Sequence, residues 1–381
     1  MQVRNELERF IGLEFAGVQW CIRRRYDLKQ RIGSGTYGLV VSAVDSMDRF
    51  SLVAIKKVDG FFHRKHAYEA RQILREVRLM RCLNHPNVIT LLDVMIPPLK
   101  GTIPQGVAQE IVSPLLSELY LVTELMSTDL RHILSAAHRP GSTFSLRPEQ
   151  AQYLLYQLIC GLQYIGSAGV LHRDLKPSNL LVDLRSCQLR ICDFGLARAI
   201  PTHKRQTQDQ CCSVYEGNFG AGHTNSQATM TEYVVTRCYR APEILLGNVH
   251  YGPGVDIWSV GCILAEMLAP NMGVLFQGTE RREMLTHIVG VLGRPSKTEL
   301  WFISDENASN FMDSLPLLMP QTLKRRISSH CSPSEVAVRS LHLEYHPHPH
   351  PRTRSLISST ICWCLIPLLV STHKMLSFTP S

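Results

Sequence analysis

The residues with the most chemical content fall in a few short runs. His172-Arg173-Asp174-Leu175-Lys176-Pro177-Ser178-Asn179 is followed by Asp193-Phe194-Gly195. Such a set suits phosphoryl transfer, which needs positioning and charge cancellation more than covalent help. Asp174 can accept or orient the proton of an attacking hydroxyl, and Lys176 can neutralise a phosphate in transit. Asn179 and Asp193 offer hard oxygen ligands of the kind Mg2+ prefers. Upstream, Gly33-Ser34-Gly35-Thr36-Tyr37-Gly38-Leu39-Val40, with Ile32 before it, fits the spacing G-x-G-x-x-G-x-V. Glycines there let backbone amides approach phosphate oxygens. Val53-Ala54-Ile55-Lys56 places an ammonium sixteen residues after Val40, fit to bind nucleotide α/β-phosphates. That lysine needs a carboxylate, and Glu76, in Leu74-Arg75-Glu76-Val77, is the first choice, with Glu69 the alternative. Singly these signals are weak: a lone Asp or Lys is usually solvated, and dinucleotide folds share the glycine pattern. Their order and spacing together leave little room for coincidence.

The elements that must carry these residues follow from the periodicity. Val40–Val44 and Leu52–Ile55 are β-rich runs joined by the polar stretch Asp45–Ser51. A strand after the glycines, where a dinucleotide fold would have a helix, favours a hairpin covering a nucleotide. Ile73, Leu74, Val77 and Met80 recur at helical spacing and predict an amphipathic helix. Pro97–Pro114 is loop-like and Tyr120–Thr123 a short strand, while Ala151–Tyr164 and Val255–Met267 are strongly helical. The expected class is α+β, a small β-rich lobe followed by a larger helical one. After Pro320 the periodicity fails, and Tyr345–Pro351 alternates His and Pro in a low-complexity, loop-like run.

The 381 residues contain 45% hydrophobic and 19% charged residues, an ordinary globular balance. The net charge of +8 is uneven: Leu318–Ser381 holds seven Lys/Arg and two Asp/Glu, so five of those charges lie in the last 64 residues. The charge is therefore a poor reason to expect a nucleic-acid partner. The longest apolar run, Ile361–Val370, contains Pro367 and is ten residues long, against about 20 for a membrane span. No secretory signal pattern is visible in Met1–Gln19, and the twelve Cys show no framework, so reduced intracellular thiols are expected. These features point to a cytoplasmic or nuclear protein with neither membrane nor nucleic-acid partners.

The chain resembles the eukaryotic protein kinases, and within them the mitogen-activated protein kinases. The specific resemblance lies in Thr231-Glu232-Tyr233, a Thr-x-Tyr dual-phosphorylation motif, and in Val234-Val235-Thr236-Arg237-Cys238-Tyr239-Arg240-Ala241-Pro242-Glu243. Leu125–Leu130, Asp256–Cys262 and Leu300–Ser304 support it, and the resemblance covers about Tyr26–Pro316. It implies a two-lobe kinase fold with ATP in the cleft at the hinge and Mg2+ as cofactor. The implied boundaries are 1–25 for an N-terminal extension, 26–126 for the N-lobe and hinge, 127–317 for an incomplete C-lobe, and 318–381 for a divergent tail.

The resemblance also implies residue roles. Thr123 is the gatekeeper position, Glu124 to Met126 the adenine-binding hinge, and Asp129 the ribose contact. Thr231 and Tyr233 are phosphorylated by an upstream dual-specificity kinase and cleared by phosphatases. Arg75, Arg173 and Arg198 would hold phospho-Thr231, and Arg237 and Arg240 phospho-Tyr233, ordering the segment by phosphate–guanidinium pairing. The implied activity is ATP-dependent phosphorylation of Ser or Thr before Pro in proteins. A non-catalytic platform is the alternative, because the C-terminal lobe looks broken.

Three departures bear on that alternative. Cys238 stands where the family has Trp, which would loosen peptide positioning, and Cys192 is expected to face the nucleotide. Gly195 and Ala241 are separated by 45 residues, an overlong stretch whose extra part, Thr202–Ala228, is polar and loop-like. In the tail, the family segment Met-Leu-x-Phe-Asp-Pro-x-x-Arg, whose Arg pairs with Glu243, is missing. Reading the codons of Ile361–Pro367 one base earlier permits Met-Leu-Val-Phe-Asp-Pro. The frame of Leu368–Pro380 then permits the rest of that segment. The expectation is a tail translated out of frame, which the coding nucleotides decide. A buried Glu243 without its Arg would cost about 3–5 kcal/mol, so the chain as written is expected to fold poorly or to be weakly active.

Overall fold

The computed structural model describes residues 6–35, 38–59, 67–97, 118–137, 146–200, 237–248, 252–269, 272–303 and 305–316. They form two compact units. The first is Met1–Ser127 with Arg190–Gly195, and the second is Thr128–Leu189 with Leu196–Ser381.

The first unit is built on strands. A hairpin of β1 (Phe10–Phe15) and β2 (Val18–Arg23) precedes a five-stranded antiparallel sheet. That sheet has the order β3-β4-β5-β7-β6, from Tyr26–Gly35, Gly38–Asp45, Ser51–Asp59, Glu118–Glu124 and Leu91–Met95. The hairpin turn, Ala16-Gly17, has φ of 54° and 74°, the left-handed pair that a two-residue primed turn requires. From the sequence, residues 1–25 carried no element. The period-two pair Trp20 and Ile22 was the available signal, and both are buried with Val41, Val53, Ile55 and Tyr120. Trp20 Nε1 donates to Phe15 O at 3.2 Å, and its ring lies 5.7 Å from that of Tyr120. The Tyr120 hydroxyl accepts from Cys21 N at 2.9 Å and donates to Glu118 at 2.5 Å.

Helix α1 (Ala67–Cys82) turns Ile73 and Met80 inward, with Val77 packed beside Val58 and Leu121. Leu74, expected on the same stripe, is 45% exposed. It lies one residue round from Ile73, about 100° away on a helix of 3.6 residues per turn, and so falls off the buried face.

The second unit is mostly helical. Its helices are α2 (Leu130–Ala137), α3 (Pro148–Ser167), α4 (Pro242–Leu245), α5 (Gly254–Leu268), α6 (Arg281–Leu292) and α7 (Glu306–Ser314). Proline opens α3, where its missing N–H costs nothing. Leu154, Leu155, Leu158, Leu162 and Ile165 bury one side of α3, which packs on α5. Helix α5 is buried almost all round, which marks it as the core helix of the unit. Trp258 on α5 stacks on Phe276 at 5.4 Å. Short strands complete the unit: β8 (Thr128–Asp129) pairs with β10 (Leu180–Asp183), and β9 (Val170–Leu171) with β12 (Arg198–Ala199). Strand β11 (Gln188–Ile191) runs from the second unit into the first. No helix among the described residues is long and apolar enough to cross a membrane.

Candidate functional site

In the first unit the glycine run forms the β3–β4 hairpin expected from the sequence. Gly33 pairs with Val40, and Gly35 with Gly38. A register shift between Arg31 and Gly33 leaves Ile32 46% exposed. Thr36 and Tyr37, and the side chain of Ser34, lie outside the described residues. Gly38 has φ +149°, and a Cβ there would sit 1.9 Å from the Lys57 carbonyl oxygen, so only glycine fits against β5. Leu39 packs against the sheet core, and Val40 lies opposite Lys56.

Lys56 Nζ donates to Glu76 Oε1 and Oε2 at 3.0 and 3.2 Å. Their side chains are 21% and 5% exposed. The side chain of Glu69, the alternative partner, is outside the described residues. Burial opposes the charge on Lys56, yet the attraction of Glu76 and then Asp193 outweighs it and pushes the ammonium pKa up. Asp193 holds φ 66°, a left-handed backbone that is uncommon outside glycine, and its Oδ1 accepts from Gly195 N at 3.4 Å. Cys192 beside it is half-buried, and Phe194 is fully buried. Thr123 lies on β7 opposite Ala54, with Glu124 closing the strand and Met126 just beyond, all half-buried.

In the second unit the run His172–Asn179 is locally wired. Lys176 Nζ donates to Asp174 Oδ2 at 2.8 Å. Asn179 Nδ2 donates to Asp174 O at 2.8 Å and to its Oδ2 at 3.2 Å, leaving the amide oxygen as the atom suited to a cation. Pro177–Asn179 is a single 3₁₀ turn, which sets that spacing. Arg173, just before Asp174, has φ 69°. Asp129 accepts from His132 N at 2.9 Å and pairs with His132 Nδ1 at 2.7 Å, capping α2. A cavity of about 290 Å³ adjoins Lys176 and Ser178, walled by Arg131, Ser135, Tyr239 and Glu266.

The arginines expected to bind phosphate hold other partners in this structure. Arg75 Nη1 donates to Gly195 O at 2.8 Å, Arg198 to Ala197 O at 3.3 Å, and Arg237 to Thr279 O at 2.6 Å. Arg173 and Arg240 are half-buried. Thr231, Tyr233, the stretch Thr202–Ala228 and the whole tail from Leu318 lie outside the described residues. Cys238 is buried, and burial, then Glu266, pushes its thiol pKa up. It therefore reads as core packing and not as a reactive group. Glu243 is buried in α4.

Several residues that shape the site carried no assigned role in the sequence. Asp256 on α5 accepts from the backbone N–H groups of His172 and Arg173 at 2.8 and 2.7 Å, fixing the loop that bears Asp174. Glu266 accepts from the Tyr239 hydroxyl at 2.7 Å. A charged residue inside a helix that is otherwise apolar is the signal that could have pointed to both.

The donor chemistry fits a magnesium nucleotide. Asp193 and Asn179 offer hard oxygens, and Mg2+ takes one or two such ligands and completes its shell with phosphates and water. Among the described residues no cluster of three His, Cys, Asp or Glu side chains could itself hold a metal.

A family model described as "Protein kinase domain" matches residues 26–340, running past Pro316 into the tail. Mitogen-activated protein kinase 3 of Arabidopsis thaliana is 39% identical over 316 residues, covering 83% of this chain and 72% of that protein. Mitogen-activated protein kinase 5 of Oryza sativa subsp. indica is 41% identical over 285 residues, covering 75% and 64%. Mitogen-activated protein kinase 6 of Arabidopsis thaliana is 40% identical over 285 residues, covering 75% of this chain and 60% of that protein. The chain thus spans between three-fifths and three-quarters of the length of these relatives.

Proposed function

The chain belongs to the protein kinase family, among the mitogen-activated protein kinases, and from that premise we propose that it phosphorylates Ser or Thr before Pro in other proteins, using Mg-ATP. The observation that carries this is the Asp174 group. Its carboxylate is oriented by Lys176 at 2.8 Å and Asn179 at 3.2 Å. In this role Asp174 takes the hydroxyl proton as the acceptor oxygen attacks the γ-phosphorus, whose bond to the β–γ bridging oxygen breaks to release ADP. Lys176 offsets charge on the transferring group. Lys56, held by Glu76, binds the α- and β-phosphates. Backbone amides of residues 33–38 would approach the phosphates, and Glu124–Met126 the base. Asn179 and Asp193 are the residues that would each offer an oxygen to Mg2+, which when bound would supply neutralisation of phosphate charge.

Phosphorylation of Thr231 and Tyr233 by an upstream dual-specificity kinase is the proposed activation. Each phosphate adds about −1.5 to −2 charge and draws on Arg75, Arg173 and Arg198, or on Arg237 and Arg240. Release of Arg75 from Gly195 O would accompany it. The last 40 to 60 residues are proposed to be out of frame, which sequencing the coding DNA across them decides.

The test is transfer from radiolabelled Mg-ATP to a Ser-Pro peptide by the chain treated with an activating kinase. Transfer that disappears in Asp174→Asn supports the proposal. Tight Mg-ATP binding with no transfer would instead favour a non-catalytic platform.

A further inference from the structure

Arg190 lies on β11, three residues before Asp193, and has no part in the roles assigned above. Its Nη2 pairs with Glu124 Oε2 at 3.1 Å, with the side chains 15% and 25% exposed. Its Nη1 donates to the backbone oxygen of Pro86. The other oxygen of Glu124, Oε1, accepts from the backbone N–H of Thr90 at 3.0 Å. The backbone repeats the connection: Ile191 N donates to Asn87 O at 2.9 Å, and Ile89 N to Ile191 O at 3.0 Å. His85, at the head of this loop, accepts from Asn87 N through Nδ1 at 3.1 Å. Burial and then the charge of Arg190 push its pKa down.

Three stretches of the first unit therefore meet at one guanidinium. They are the loop after α1, the helix that carries Glu76; the end of β7, which runs on into Leu125 and Met126; and β11, which runs on into Asp193. An exposed ion pair would contribute little. Here the guanidinium also holds a carbonyl and the carboxylate also holds an N–H, so losing either side leaves shielded polar groups unmatched. The planar fork of Arg can serve both acceptors at once, which a lysine ammonium matches poorly.

We propose that Arg190 and Glu124 form a positioning clamp that fixes the base-binding strand, Thr123–Met126, against the segment bearing Asp193, and so sets the affinity for ATP. This rests on the kinase reading above. The full chain is compared with Arg190→Met, Glu124→Gln, the double variant and Arg190→Lys, the last in case Met disturbs folding. Without nucleotide, hydrogen exchange at the amides of Thr90, Leu125 and Met126 is expected to quicken roughly tenfold in each single variant. The Kd for Mg-ATP is expected to rise roughly tenfold in each single variant and no further in the double, with Lys intermediate. In turnover the effect should fall on KM for ATP more than on kcat.

If the parent binds Mg-ATP while the single variants leave exchange and affinity unchanged, or add fully in the double, the clamp is overturned. If the parent does not bind Mg-ATP, the kinase reading fails on its own. Exchange then decides the clamp: unchanged rates in all variants overturn it, and faster rates shared by both singles and the double uphold it as a backbone device.

Discussion

The two sets of polar residues are wired differently. Asp174, Lys176 and Asn179 touch one another within six residues of chain, across one 3₁₀ turn. Lys56 and Glu76 come from a strand and a helix twenty residues apart, Arg75 reaches Gly195 across 120, and Arg190 reaches Glu124 from a third stretch. The loop bearing Asp174 owes its geometry to local backbone and to Asp256. The lysine pair depends on the whole first unit being assembled. Changes in the local set should strike chemistry with little effect on folding, and changes in the distributed set should strike both.

Asp174→Asn should show the largest effect, lowering kcat by about a thousandfold while shifting Tm by no more than a few degrees. Kinetics on a Ser-Pro peptide and a melting curve check it, and an equal loss of stability would erase the contrast. Glu76→Gln comes next. Leaving the mostly buried Lys56 without its carboxylate should cost about 2 kcal/mol, less than a fully buried pair because the lysine is partly exposed. KM for ATP should rise as well, and urea unfolding with ATP titration measures both.

The third prediction concerns acid. Burial raises the cost of a charge on Asp45, yet the hydrogen bond from Arg25 overrides it and holds the carboxyl below its usual range. The stabilisation from this pair is therefore complete above about pH 4, the ordinary carboxylate range. It is lost as pH falls further, toward the depressed native value. In Asp45→Asn, stability should be lower near neutrality and its decline in acid shallower, visible in melting curves from pH 7 to 3. The smallest effect should be a gain. Ala16 holds φ 54° in a primed turn, where Asn before Gly is preferred. Ala16→Asn should stabilise by about 0.5–1 kcal/mol, raising Tm without changing activity.

The same contrast explains what was legible from sequence. The run His172–Asn179 reads directly because its spacing is its geometry. The strands around Val40 and Ile55, and helices α3 and α5, read from periodicity because one face or all faces are buried. Glu76 could be chosen for Lys56 only through a helical stripe and a resemblance. Arg190, Asp256 and Glu266 carry no local pattern that names their partners, which lie 27 to more than 80 residues away. The β1–β2 hairpin escaped because Gly12 and the Ala16-Gly17 turn break its alternation into pieces too short to weigh.

That hairpin also moves the point at which the folding unit starts. The family match opens at residue 26, yet Trp20 and Ile22 sit in the same core as Val41, Val53 and Tyr120. A chain trimmed to begin at Tyr26 would open that apolar sheet face to water and leave the buried ammonium of Lys57 without the carbonyl of Gln19. Bare apolar faces of this kind recruit one another. Such a trimmed protein should gather into soluble oligomers or precipitate, while one starting near Glu6 stays dispersed.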